Sequence, residues 1–85
     1  MKSFTHVIKD PLGLHARPAG MLVKAAGAYS CAVTIQAPTG KADAKRIMAV
    51  MRLAAKAGME ITVTCDGADE DAACAALKVF LEENL

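Results

Sequence analysis

The chain has 85 residues, 54% of them apolar and 22% charged, which is typical of one globular domain over residues 1–85 and excludes a disordered segment. It contains no apolar run of bilayer length and no basic-then-apolar leader, so we expect a cytoplasmic protein without membrane insertion. Three cysteines without a CxxC pair favour free thiols over a disulfide. No set of metal ligands is visible, and we expect neither a metal nor a cofactor.

The net charge of +1 conceals an uneven distribution along the chain. Residues 1–58 contain nine Lys and Arg against two acids, a charge of +7, and residues 59–85 contain one Lys against seven acids, a charge of −6. The basic half favours an acidic partner or an anionic group. Nucleic acid is the weaker alternative, because Phe4, Tyr29 and Phe80 are the only aromatic residues and form no stacking platform.

Hydrophobic periodicity predicts seven elements. In chain order they are a strand at 2–9, a helix at 17–28, a strand at 31–36, a short strand at 41–44, a helix at 47–57 that ends at Gly58, a strand at 60–66 and a helix at 69–83. Each strand has one apolar and one polar face, which indicates a single antiparallel sheet with the helices on one side. This order also fits a ferredoxin-like α+β sandwich with an added C-terminal helix.

Helical spacing predicts the side chains that each helix buries. They are Ala19, Leu22, Val23 and Ala26 in the first helix, Ile47, Val50, Met51 and Ala54 in the second, and Ala73, Ala76, Leu77 and Phe80 in the third. Met48 lies off the apolar stripe of the second helix, beside Arg52, and is predicted to be an exposed contact residue.

A titratable nucleophile, a cation and a helix start coincide only in the segment Gly13-Leu14-His15-Ala16-Arg17-Pro18-Ala19. Proline in the first helical turn removes no helical hydrogen bond, and the first amides of a helix have no partner within it. The amides of Ala16 and Arg17, with the Arg17 guanidinium, therefore predict an anion site beside His15. Spacing alone leaves an alternative, since a histidine near a helix start is commonly a cap or a surface residue.

This segment resembles the active-site signature of the HPr family, the histidine-containing phosphocarriers of the bacterial sugar phosphotransferase system. The resemblance continues through residues 40–51, except at Arg46, and through residues 58–63, and it covers essentially the whole chain. It implies an α+β fold, an open-faced β-sandwich in which three helices cover one side of a four-stranded antiparallel sheet. The implied strand order is 1-4-2-3.

The resemblance also implies the activity. His15 would accept a phosphoryl group on Nδ1 from enzyme I, which is charged from phosphoenolpyruvate, and pass it to the A domains of sugar-specific enzymes II. His15, Ala16 and Arg17 would bind the phosphoryl group. The protein would be a monomeric carrier, and not an enzyme that turns over a substrate.

A docking surface for these partners is implied by the same resemblance. Its apolar residues would be Ala16, Gly20, Ile47, Met48 and Met51. Its basic rim would be Arg17, Lys24, Lys45, Arg46, Arg52 and Lys56.

Arg46 departs from the family pattern. Most members have a serine there, which in many of them caps the second helix and is phosphorylated by a dedicated kinase. Arg46 has no hydroxyl group, so we expect that regulation to be absent. The departure leaves open an alternative, a paralogue in a nitrogen-type or regulatory phosphorelay.

Overall fold

Seven elements alternate along the chain in a computed structural model of residues 1–85. They are β1 (Lys2–Val7), α1 (Ala16–Gly27), β2 (Ala32–Ala37), β3 (Gly40–Asp43), α2 (Ile47–Arg52), β4 (Glu60–Asp66) and α3 (Glu70–Asn84). Their order is the predicted one, and the largest difference in a boundary is at the end of α2. None of the three helices combines the length and the hydrophobicity that spanning a membrane requires.

The four strands form one antiparallel sheet with the order β1-β4-β2-β3, which confirms the predicted open-faced sandwich. The central strands β2 and β4 alternate as predicted: Val33 and Ile35 of β2 and Ile61 and Val63 of β4 are fully buried beneath the helices. Strand alternation puts every second side chain on the same face, so each central strand gives one complete face to the core. The core contains 21 residues, all of them apolar.

The inner faces of α1 and α3 agree with helical spacing at most positions, although the predicted Val23 and Phe80 are only partly buried against the core. In α1, Ala19, Leu22 and Ala26 are buried. In α3 the predicted Ala76 is exposed, and the buried residues follow the i, i+4, i+8 line of Ala73, Leu77 and Leu81. Each step of four residues is slightly more than one helical turn, so this line of buried residues winds around the helix away from Ala76. Leu81 therefore faces the sheet.

The second helix is shorter than predicted and buries less. It ends at Arg52, because Ala54 has a left-handed φ of 48° that no α-helix continues. Leu53 and Ala55 then enter the core, each only 3% exposed, and they replace the predicted continuation of the helix.

The predicted apolar stripe of α2 is wrong at three of its four residues. Val50 is the only buried residue of the helix. Ile47 and Met51 are 40% and 37% exposed, and Ala54 lies on the surface beyond the helix. The helix has less than two turns, and Leu53 and Ala55 beyond its end enter the core instead of the other predicted stripe residues.

All three cysteines are free, and Cys31 and Cys65 are buried. Burial raises the pKa of the Cys65 thiol to about 12, and it also raises the pKa of Cys31. Since the thiolate is the reactive form, these two thiols are chemically inert parts of the core.

Asp69 joins the start of α3 to the segment that enters β2. Its two carboxylate oxygens accept hydrogen bonds from the backbone amides of Ser30, at 2.8 Å, and Cys31, at 2.9 Å. These bonds lower the pKa of Asp69 below its ordinary value of 3.8, with the Ser30 amide as the largest cause. The charged carboxylate is therefore the form that the fold stabilises.

We predict that Asp69→Asn lowers the free energy of unfolding at neutral pH. The NH2 group of asparagine would replace one carboxylate oxygen, so one of the two backbone N–H groups would face a donor and lose its acceptor. The folded-state pKa is depressed, so the carboxylate's contribution is present above pH 3.8 and is lost as the pH falls through the lowered pKa. Denaturant unfolding at several pH values checks this. Asp71→Asn is the matched control, since it removes a charge from the same helical turn that only meets Lys2 at the surface, 3.4 Å away. A deficit for Asp69→Asn that persists unchanged at pH 2.5 contradicts the assignment.

Candidate functional site

The loop between β1 and α1 is fixed by its backbone. The amide of Gly13 donates to the carbonyl of Asp10 at 2.8 Å, and the amide of Leu14 donates to the carbonyl of Ala55 at 2.8 Å. Gly13 has a φ of +67°, a conformation that favours glycine, and its backbone lies directly against the Ala55–Lys56 peptide. Leu14 is 4% exposed and anchors the loop in the core. The residue that follows this anchor, His15, is thereby held at the surface.

His15 occupies the N-cap position of α1 with an extended backbone. Its carbonyl accepts the first helical hydrogen bond, from the Ala19 amide at 2.9 Å. Its side chain makes no capping hydrogen bond and is 36% exposed. The imidazole is therefore not a helix cap, and it is accessible to a reaction partner.

The first turn of α1 leaves two backbone donors free. The amides of Ala16 and Arg17 have no acceptor in the structure, and Pro18 in the next position has no N–H group. Both N–H groups belong to the positive end of a 12-residue helix. The sequence prediction of a helix start beside the histidine is confirmed in its geometry, although the helix begins one residue earlier, at Ala16.

His15 and Arg17 line a common cavity of about 220 Å³. Its other lining residues are Asp10, Pro18, Met21, Glu83 and Asn84. The sequence analysis missed Asp10, Met21, Glu83 and Asn84. Asp10 was accessible from the sequence, since it is an acid in the loop that precedes the histidine. The residues from the end of α3 were not, because only the tertiary fold brings that end beside the start of α1.

Asp10 is the charged group that approaches the imidazole. Its Oδ2 lies 3.7 Å from Nε2 of His15, and its Oδ1 accepts a hydrogen bond from the Leu12 amide at 2.9 Å. The cavity thus contains a nucleophile, one guanidinium and two carboxylates. Such a site can bind an anion, but the net charge of its side chains is not what holds the anion there.

The residues predicted for partner docking lie on adjoining surfaces of α1 and α2. A Cβ atom on Gly20 would stand 3.7 Å from Cδ1 of Ile47, so the two helices meet there. Met48 is the most exposed of the apolar residues on α2, at 63%. Ala16, Lys24, Met51 and Arg52 are also exposed.

Two findings modify this surface. Lys45 is not a free rim cation, because its Nζ donates to the carbonyl of Tyr29 at 2.7 Å. Met21 was not predicted, but it is 41% exposed on α1 and also lines the His15 cavity. It is therefore an exposed apolar residue at the edge of the cavity.

Comparison with known proteins gives consistent results. The model of the family described as "PTS HPr component phosphorylation site" matches residues 2–83. The phosphocarrier protein HPr of Mycoplasma genitalium is 44% identical over 85 residues, which are 99% of this chain and 97% of that protein.

Solved structures agree with the fold. A mycoplasma histidine-containing phosphocarrier protein superposes with a TM-score of 0.93 at 43% identity, covering 96% of this chain and 93% of that one. The Bacillus subtilis catabolite repression protein Crh, described as a swapped dimer, has a TM-score of 0.77 at 35% identity, covering 88% and 86%.

The fold, an open antiparallel sheet under three helices with a histidine at the first helix start, defines the class of small histidine-containing phosphocarriers. The chain belongs to the HPr family and is a phosphocarrier of the phosphotransferase system, which takes up sugars.

We predict that Gly13→Ala lowers the free energy of unfolding by about 2–3 kcal/mol, because it combines a left-handed φ with an overpacked contact. Its Cβ would meet the Ala55 carbonyl oxygen at a separation far below contact distance. Gly27→Ala is the matched control. No atom lies within 4 Å of its Cβ position, so it should raise stability by about 0.5 kcal/mol. Urea unfolding measures both, and equal effects of the two substitutions would contradict the assigned role of Gly13.

Proposed function

We propose that His15 accepts a phosphoryl group from a donor phosphohistidine and transfers it to an acceptor histidine. The observation that carries this proposal is the accessible, uncapped imidazole beside two free amides and Arg17 at the start of α1. Phosphoryl transfer depends on in-line positioning and on charge stabilisation more than on covalent machinery. The free N–H groups and the guanidinium supply donors for the phosphoryl oxygens.

The donor is enzyme I, and the acceptors are the A domains of enzymes II, in the cytoplasm. These partners are proposed from membership of the family. The protein acts as a stoichiometric carrier and not as an enzyme. Its action as a monomer is part of the same proposal.

The partners dock on the adjoining exposed residues of α1 and α2. Apolar side chains at the centre and charged ones around them are the usual anatomy of a protein interface. Here the centre is Met48 with Ile47 and Met51, and the rim contains Lys24 and Arg52. The rim charges accelerate encounter with an acidic partner.

Arg46 gives a reason to retain the second candidate, a paralogue in a nitrogen-type or regulatory phosphorelay. It occupies the N-cap position of α2 and makes no side-chain capping hydrogen bond. It offers no hydroxyl group to a serine kinase. Acceptors from sugar-specific and nitrogen-type systems, tested in parallel with the phosphorylated protein, separate the two candidates.

We predict that incubation with enzyme I and phosphoenolpyruvate adds about 80 Da, the mass of one phosphoryl group on a nitrogen nucleophile. Intact-mass spectrometry detects the adduct, which should be labile to acid. His15→Ala should carry none, whereas His6→Ala, which changes the other histidine, should still be modified. An adduct on His15→Ala, or none on the parent protein, contradicts the proposal.

We predict that Met48→Asp lowers kcat/KM for phosphoryl acceptance from enzyme I at least about tenfold, because it places a charge at the centre of the docking surface. Val79→Asp is the matched control, since Val79 is 55% exposed on a helix outside this surface. Initial rates at several acceptor concentrations measure both. Equal losses for the two variants would show that the surface lies elsewhere.

A further inference from the structure

Asp10 is held rigidly at its position beside His15. Its Oδ1 accepts from the Leu12 amide at 2.9 Å, its carbonyl accepts from the Gly13 amide at 2.8 Å, and its own amide donates to a backbone oxygen of Leu85 at 3.1 Å. Its carboxylate is only 26% exposed. With Oδ1 occupied by the turn, Oδ2 is the oxygen left to face the imidazole.

We propose that Asp10 is a positioning residue for phosphoryl transfer, and that its Oδ2 accepts a hydrogen bond from Nε2–H of His15. This inference rests on the proposed function of His15. The two atoms are 3.7 Å apart, against about 2.9 Å for an N–H···O bond, so the proposal requires the imidazole to turn toward Asp10. A carboxylate on one ring nitrogen fixes the tautomer and leaves the other nitrogen with the lone pair. Asp10 thereby selects Nδ1 as the nucleophile.

The transfer balances without a proton acceptor. The lone pair of Nδ1 forms the bond to phosphorus while the bond from phosphorus to the donor nitrogen breaks, and its electron pair returns to that nitrogen. The proton on Nε2 stays where it is, so the phosphorylated ring becomes cationic. The Asp10 carboxylate then faces that cation, on the edge of the ring away from the phosphoryl group.

Glu83 is the competing acid of the cavity. It lines the same space, but its side chain is exposed and comes no closer than 4 Å to either imidazole nitrogen. Its carboxylate is held by no hydrogen bond, whereas the turn fixes Asp10. The geometry therefore assigns the role to Asp10.

Asp43 provides a matched control for the turn. Its Oδ1 accepts from the Lys45 amide at 2.9 Å and its carbonyl accepts from the Arg46 amide at 3.0 Å, which repeats the turn of Asp10 at a distant position. Asparagine retains the Oδ1 acceptor of both turns. Asp10→Asn and Asp43→Asn therefore remove the same charge from the same local structure, and only the first removes it from His15.

In the test, the 15N-labelled protein is phosphorylated with phosphoramidate, a small donor that needs no docking surface. Ammonia is the leaving group. NMR spectroscopy reports the tautomer of the unmodified ring and the ratio of the Nδ1 and Nε2 phospho-isomers. In the parent protein and in Asp43→Asn we expect the Nε2–H tautomer and the Nδ1 isomer. In Asp10→Asn we expect a measurable share of the Nε2 isomer and a rate of Nδ1 modification lower by about tenfold, the low end of the loss that removing such a partner causes. Asp10→Glu should restore part of both.

The outcomes are separable. Unchanged tautomer and isomer ratio in folded Asp10→Asn overturn the proposal, as does a shift of both in Glu83→Gln with none in Asp10→Asn. If phosphoramidate modifies His15 but enzyme I does not, the proposed function fails while the role of Asp10 is still decided by the isomer ratio.

Discussion

The hydrogen bond from the Leu14 amide to the Ala55 carbonyl is the contact on which the site depends. It ties the loop that carries His15 to the segment between α2 and β4, at the place where Gly13 lies against the same peptide. Because α2 ends at Arg52, Ala55 lies in the irregular segment that the loop contacts.

The short α2 also leaves apolar residues exposed at the proposed docking surface. Helical periodicity places Ile47 and Met51 on one stripe with Val50, yet both of these side chains are exposed. Burial of Leu53 and Ala55 instead anchors the chain beyond the helix, so the helix itself needs only Val50 in the core. The exposed apolar residues of α2 are thus left for a partner, beside the helix start that bears His15.

The sequence predicted those parts of the molecule that depend on local or strictly periodic rules. The sheet, its buried faces and the start of α1 follow from alternation and from the placement of Pro18, and the structure has all three. The family resemblance supplied the strand order. Periodicity failed at the end of α2, where Ala54 has a left-handed conformation that accompanies the burial of its neighbours. No glycine occupies that position, so the sequence carries no signal that the helix ends there. Periodicity also could not predict that Glu83 lies at the site, because that position depends on how α3 packs across the sheet.

The charges around His15 fit the proposed role of a carrier, which has to release its phosphoryl group as readily as it accepts it. Binding energy shared equally by the bound state and the transition state does not accelerate transfer, and a site lined with cations would hold the group in the bound state. This cavity balances Arg17 against the carboxylates of Asp10 and Glu83. In the proposed transfer the remaining stabilisation comes from two backbone amides, which are fixed in direction and carry only partial charge. In this proposal the net basic half of the chain attracts acidic partners, while the side chains that line the site carry no net positive charge and hold the phosphoryl group only between two encounters.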